Sequence, residues 1–109
     1  MTSGWVVETL DELVDAELEA LPVAGLARLR RIVERIQALG LENVGEPHVK
    51  HLEGKIWEMR AKAADGTVRA AYVTIVGRRV VIVHAFIKKS QKTPKRNLEI
   101  ARARAARLG

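Results

Sequence analysis

Cysteine is absent from the 109 residues, which excludes disulfides and the thiolate ligand sets of structural zinc sites. Aromatic residues make up only 4%, too few to lay out a stacking platform for single-stranded nucleic acid. No apolar run approaches the about 18 residues that a membrane-spanning helix needs. The opening MTSGWVV has no basic segment leading into a long apolar one, so neither a membrane partner nor a secretion signal is expected, and a soluble cytoplasmic protein is. Repeats, low-complexity segments and linkers are missing too. With 48% apolar residues, the chain can fill one two-layer core and no more, so a single domain over residues 1–109 is expected. The last absence is local: after residue 77 the only acid is Glu99, among ten lysines and arginines, whereas residues 1–54 carry ten acids and five bases. The net charge of +6 and pI near 10.2 favour an anionic partner such as nucleic acid, met by the C-terminal third.

The hydrophobic period divides the chain. Thr9 with Glu12 three residues on reads as a capping box opening a helix over residues 9–21, with Leu10, Leu13, Val14, Leu18 and Leu21 on one face. Pro22 ends it. A second helix carries Leu26, Leu29, Ile32, Val33, Ile36 and Leu39 and stops at Gly40, and the two predict an antiparallel helical hairpin. Residues 40–54 are rich in turn formers and read as a connecting loop. The period then becomes two, giving strands over 55–61, 68–75 and 79–87, with turns at Asp65-Gly66 and Gly77-Arg78. Thr93-Pro94 reads as an N-cap and first helical residue, opening a last helix with Leu98, Ala101, Ala105 and Leu108 on one side. The expected fold is α+β: a helical hairpin packed on a small antiparallel sheet with one wet face, followed by a C-terminal helix.

Strand alternation puts Glu58 and Arg60 on the side opposite Trp57 and Met59. If the hairpin covers Trp57 and Met59, the open face shows an acid beside a cation, with Arg69 on the next strand and Lys88 and Lys89 at the third strand's end. Guanidinium groups grip two phosphate oxygens at once, lysines act as point charges, and a carboxylate among them can take a proton from an attacking hydroxyl. The plain alternative is a surface ion pair between Glu58 and Arg60 or Arg69, worth under about 1 kcal/mol. His48 and His51 form an H-x-x-H pair, but no further ligand completes a tetrahedral set, so no metal is assigned. Trp5 and Trp57 are read as core.

The order Glu58-Met59-Arg60, Arg69 after Gly66, Phe86-Ile87-Lys88-Lys89 and Thr93-Pro94 resembles the HigB-like, phage-derived branch of the RelE/ParE toxin superfamily. The likeness covers about the last half of the chain, and the preceding helices fit that family's order. It implies a RelE-like microbial RNase fold and the toxin of a type II toxin–antitoxin pair, with a cognate antitoxin bearing a helix-turn-helix DNA-binding domain. It further implies cleavage of mRNA on the ribosome, without metal or other cofactor, by attack of a 2′-hydroxyl on the adjacent phosphate. Carried over, Arg60 and Arg69 stabilise the phosphorane and Lys88 or Lys89 holds the scissile phosphate. Glu58 is the candidate base, at a position where some relatives carry a basic residue. The C-terminal tyrosine or histidine of several relatives has no counterpart, since nothing aromatic follows Phe86. His84 is therefore the candidate acid, unless it is a packed strand residue. Lys92, Lys95 and Arg96 are assigned to RNA binding. Two other readings stay open: a ParE-like toxin that inhibits DNA gyrase without nuclease activity, and a non-catalytic nucleic-acid-binding module.

Overall fold

The structure, a computed structural model, describes residues 2–89 and 92–108. Its elements are β1 (Val6–Thr9), α1 (Glu12–Glu19), α2 (Val23–Leu39), β2 (Val49–Glu53), β3 (Ile56–Ala63), β4 (Gly66–Ile75), β5 (Arg79–Lys88) and α3 (Lys95–Ala105). The strands form one sheet in the order β1-β5-β4-β3-β2. The predicted three-strand meander is its centre, Trp57 pairing with Tyr72 across β3 and β4 and Thr67 with Lys88 across β4 and β5. Both edges exceed the expectation. The apolar start of the chain is a strand parallel to β5, Val6 opposite Arg79, and the predicted loop contains β2, antiparallel to β3. The sheet is therefore mixed.

Apolar spacing decides how the helices lie. Leu29, Ile32 and Ile36 recur at helical intervals and are buried, with Val14 of α1, against Met59, Ala61, Val68, Ala70, Tyr72, Val80 and Ile82. Fully burying one such side chain contributes about 1.5–3 kcal/mol. Gly25 lets α2 lie close to the sheet, since a Cβ there would stand 2.6 Å from Val68 Cγ1 and 3.2 Å from Ala63 Cβ. The α1 start differs from the expected box. Asp11 is the N-cap, its carboxylate accepting from the Val14 N–H at 3.1 Å, while Thr9 ends β1 and donates its hydroxyl to Asp15. Leu13 and Leu39, expected on the apolar stripes, are exposed.

The second face is not wet, which overturns the expectation that placed Glu58 and Arg69 in water. Ile56, Ala71, Val73, Val81 and Val83 pack there with Ala101 of α3, joined by Ala105 and Leu108. Thr93 does not cap α3. Pro94 takes the N-cap position without a side-chain bond, and the threonine hydroxyl turns to the sheet. The β4–β5 register shifts between Ala71, opposite His84, and Tyr72, opposite Ile82. The extra residue, Val83, is a bulge that resets which β5 side chains face α3. Trp57, expected in the core, is 40% exposed, its ring 4.9 Å from that of His51.

Candidate functional site

Arg60 and Arg69 stand directly opposite each other on β3 and β4, a like-charged cross-strand pair that is unfavourable by itself. Glu58, two residues before Arg60 and on the same face, supplies the missing charge. Its Oε1 accepts from Arg60 Nε at 2.6 Å and lies 3.8 Å from Arg69 Nη1. Its Oε2 accepts from the Thr93 hydroxyl at 3.0 Å, and Arg69 Nη1 donates to that same hydroxyl oxygen at 3.3 Å. The carboxylate is wholly buried and Arg69 is 1% exposed, while the Arg60 side chain keeps 14%. Burial lowers the pKa of the Arg69 guanidinium, an effect that Glu58 opposes and Arg60 reinforces. The guanidinium nevertheless stays charged at any working pH.

This cluster opens into a cleft of about 590 Å³ beside β3, past the residue Met59 that faces the first residue of β2. Arg60, Lys62, Thr67 and Arg69 line the sheet side, and Arg28, Arg31 and Arg35 of α2 line the other. Pro47 and His48 also line it, and no carboxylate is among the lining residues. Arg28 is fixed by a 2.8 Å bond from its Nη1 to the Lys62 carbonyl. The α2 arginines are absent from the site expected from the sequence, where Thr93 is only a helix cap and His48 only half of an H-x-x-H pair. The i, i+4 spacing of Arg31 and Arg35 was a usable signal, because such residues share a helix face.

The remaining predicted residues divide. Lys88 and Lys89 are exposed at the end of β5, with Lys88 opposite Thr67 of the cleft. A Cβ on Gly66 would meet the Lys88 carbonyl at 2.9 Å, so the glycine, at φ 150°, keeps that strand end close. Lys92, Lys95 and Arg96 are exposed before and in the first turn of α3, and Lys95 lies 3.9 Å from Glu99. His84 is not with them. It is 6% exposed and does not line the cleft. Its Nδ1 lies 3.0 Å from Glu17 Oε1 and its Nε2 2.8 Å from Asn97 Oδ1, and its ring stacks on Phe86. Glu17 also accepts from Arg104 Nη1 at 2.8 Å and from the Ala85 N–H at 3.1 Å. Burial raises the pKa of Glu17, but the bonds from Arg104, Ala85 and His84 outweigh it and hold the carboxyl below its ordinary value. His84 is thus a packed, hydrogen-bonded strand residue joining α1, β5 and α3.

The C-terminal cations are likewise not one field. Arg79 pairs with Glu8, Arg102 with Glu53, Arg104 with Glu17 and Arg107 with Asp11. Acids of the first half thus pair with four arginines of the last third, whereas the arginines and Lys62 lining the cleft share it with no carboxylate. Among the described residues, no group of three or more His, Cys, Asp or Glu side chains is placed to hold a metal ion. His48 and His51 are separated in role, one lining the cleft and the other bonded at 2.8 Å to the Gly54 carbonyl. No helix among the described residues is long and apolar enough to cross a membrane.

This mixed sheet, covered by two helices on one face and one on the other, is a RelE-like fold. It is similar to the crystal structure of an archaeal RelE–RelB complex from Pyrococcus horikoshii OT3, with a TM-score of 0.56, 20% sequence identity, and coverage of 82% of this chain and 99% of that one. A family model for phage-derived Gp49-like proteins matches residues 16–106, and the chain belongs to that family. Among curated protein sequences, none is significantly similar to it.

Proposed function

We propose that this Gp49-like protein is the toxin of a type II toxin–antitoxin pair, of the HigB-like branch, and that it cleaves messenger RNA on the ribosome. The observation that carries the reading is the pair Arg60 and Arg69, set opposite each other, held by a buried carboxylate and facing a cleft lined by several cations and no carboxylate. In the proposed reaction the RNA 2′-oxygen attacks the adjacent phosphorus and the bond from phosphorus to the 5′-oxygen breaks. The products are a 2′,3′-cyclic phosphate and a 5′-hydroxyl that takes up the proton. Arg60 and Arg69 stabilise the charge that builds on the pentavalent phosphorus, and preorganised donors of this kind are worth most where water is excluded. Lys88 or Lys89 holds the scissile phosphate, and Lys92, Lys95 and Arg96 add positioning charge along the strand.

Glu58 keeps a role different from the one its spacing suggested. Fully buried and engaged by Arg60 and Thr93, it aims the arginines; a proton acceptor must instead reach the 2′-oxygen. His84, bonded to Glu17 and Asn97, serves the scaffold, so the leaving oxygen takes its proton from a group that faces the cleft or from solvent. The chain's partners in this reading are mRNA, the ribosome and an antitoxin with a helix-turn-helix DNA-binding domain, and its place of action is the cytoplasm. The similar archaeal structure is itself of a complex with RelB, which supports the antitoxin.

Expression without a partner should arrest growth, and primer extension on translated transcripts should map cuts at codon-phased positions. Arrest with intact messages and inhibited gyrase would instead identify a ParE-like gyrase inhibitor. Binding of RNA with neither arrest nor cleavage would reduce the protein to a nucleic-acid-binding module.

A further inference from the structure

The cleft extends well beyond the two arginines assigned to the scissile phosphate, and that extra length needs an occupant. Its α2 wall presents Arg31 and Arg35, both exposed and, among the described residues, in no ion pair within 4 Å. They stand one helical turn apart, about 6 Å along the axis, which lets two guanidiniums address successive phosphates of an extended strand. Ile32, Ala61 and Pro47 also line the cleft, an apolar contribution that suits contact with a base. At about 590 Å³ the space falls within the roughly 300–1,000 Å³ of pockets that enclose small ligands. Like-charged arginines around one cleft repel one another, and an anion relieves that repulsion.

We infer that the α2 wall is a second RNA subsite. On this assignment, which rests on the nuclease reading, the nucleotide next to the scissile bond lies in the cleft, its phosphates on Arg31 and Arg35 and its base over Ile32 and Pro47. The RNA path therefore runs along α2 as well as past the lysines at the end of β5. An acidic protein segment matches the charge equally well, but it has no use for continuity with Arg60 and Arg69, whose opposed pair is suited to a phosphodiester.

The test uses a fluorescein-labelled RNA hexamer with 2′-O-methyl sugars, which binds but cannot be cut, in anisotropy titrations over a salt series. The variants are Arg31→Ala/Arg35→Ala and a charge-matched control on exposed residues outside the cleft, Arg30→Ala/Lys50→Ala. Both pairs are exposed, so thermal melts should match the parent. The cleft variant should bind about tenfold more weakly, and its salt slope should fall by about 1.4, or 0.7 for each lost contact on a single strand. The control should fall by much less. On programmed ribosomes the cleft variant should need more protein for half-maximal cleavage while keeping the limiting rate. If cleft variant and control behave alike while the parent binds and cuts, the subsite is refuted and the nuclease reading stands. If the parent neither binds nor cuts, both fall together. Parental RNA affinity with lost affinity for the antitoxin gives the cleft to an acidic protein segment and overturns the inference.

Discussion

Replacing Glu58 by glutamine removes one charge from the centre of the site and changes almost nothing else in size. In the folded protein that charge serves Arg60 at 2.6 Å and Arg69 at 3.8 Å, with the carboxylate fully buried and Arg69 nearly so. Breaking a buried ion pair from one side leaves the other charge uncompensated, at a cost of about 3–5 kcal/mol. The partial exposure of Arg60 points to the lower end, about 3 kcal/mol. For 109 residues, an unfolding entropy of about 2.1 cal/mol/K per residue gives roughly 0.23 kcal/mol/K. The midpoint should then fall by about 13 °C. Urea unfolding should show the same loss as a lower transition concentration with an unchanged slope. A double change, Glu58→Leu with Arg69→Met, removes both buried charges and should be less destabilised than Glu58→Gln alone. A loss below about 1 kcal/mol for Glu58→Gln is what an exposed pair would give, and it would refute the claim that Glu58 is the buried counter-ion holding both arginines.

Three further outcomes follow from the geometry. Asp11→Ala should destabilise more than Thr9→Ala, because it removes both the cap accepted from Val14 and the pair with Arg107; the reverse order in denaturant melts would restore the capping box at Thr9. Gly25→Ala should destabilise by about 1–2 kcal/mol although alanine favours helix, since its Cβ meets buried Val68 at 2.6 Å; a gain in stability would show that α2 is free to lift. Glu17 has a folded pKa below its ordinary 4.5, so the unfolded chain binds more protons there and stability falls as pH drops from 4.5 through the folded value. Glu17→Gln should flatten that acid limb and lose about 2 kcal/mol at neutral pH, and superimposable limbs would dismantle the network around His84.

Much of this architecture is written in local pattern. The apolar periods of α2, β4 and β5 and the turns at Asp65-Gly66 and Gly77-Arg78 follow from short-range rules, and so does the pairing of Glu58 and Arg60 on one face. What escaped was settled at long range. Val6–Thr9 is too short to declare itself a strand and becomes one only because β5 offers a parallel edge. Val49–Glu53 is hidden among glycine, proline and charge, and takes its form from β3. The face bearing Glu58 looked wet because charged side chains alternate there; α3 and Thr93 bury it, and neither lies near it in sequence. The arginines of α2 acquire a site only when β3 is placed beside them.

The two ends of the chain hold each other in place, and this bears on the order in which the protein can be completed during synthesis. β1 pairs with β5, Asp11 with Arg107, and Glu17 with His84 and Arg104. Residues 6–17 thus wait for residues 79–107. Thr93, which ties Glu58 to Arg69, also arrives late, so a nascent chain carries its arginines well before it can aim them.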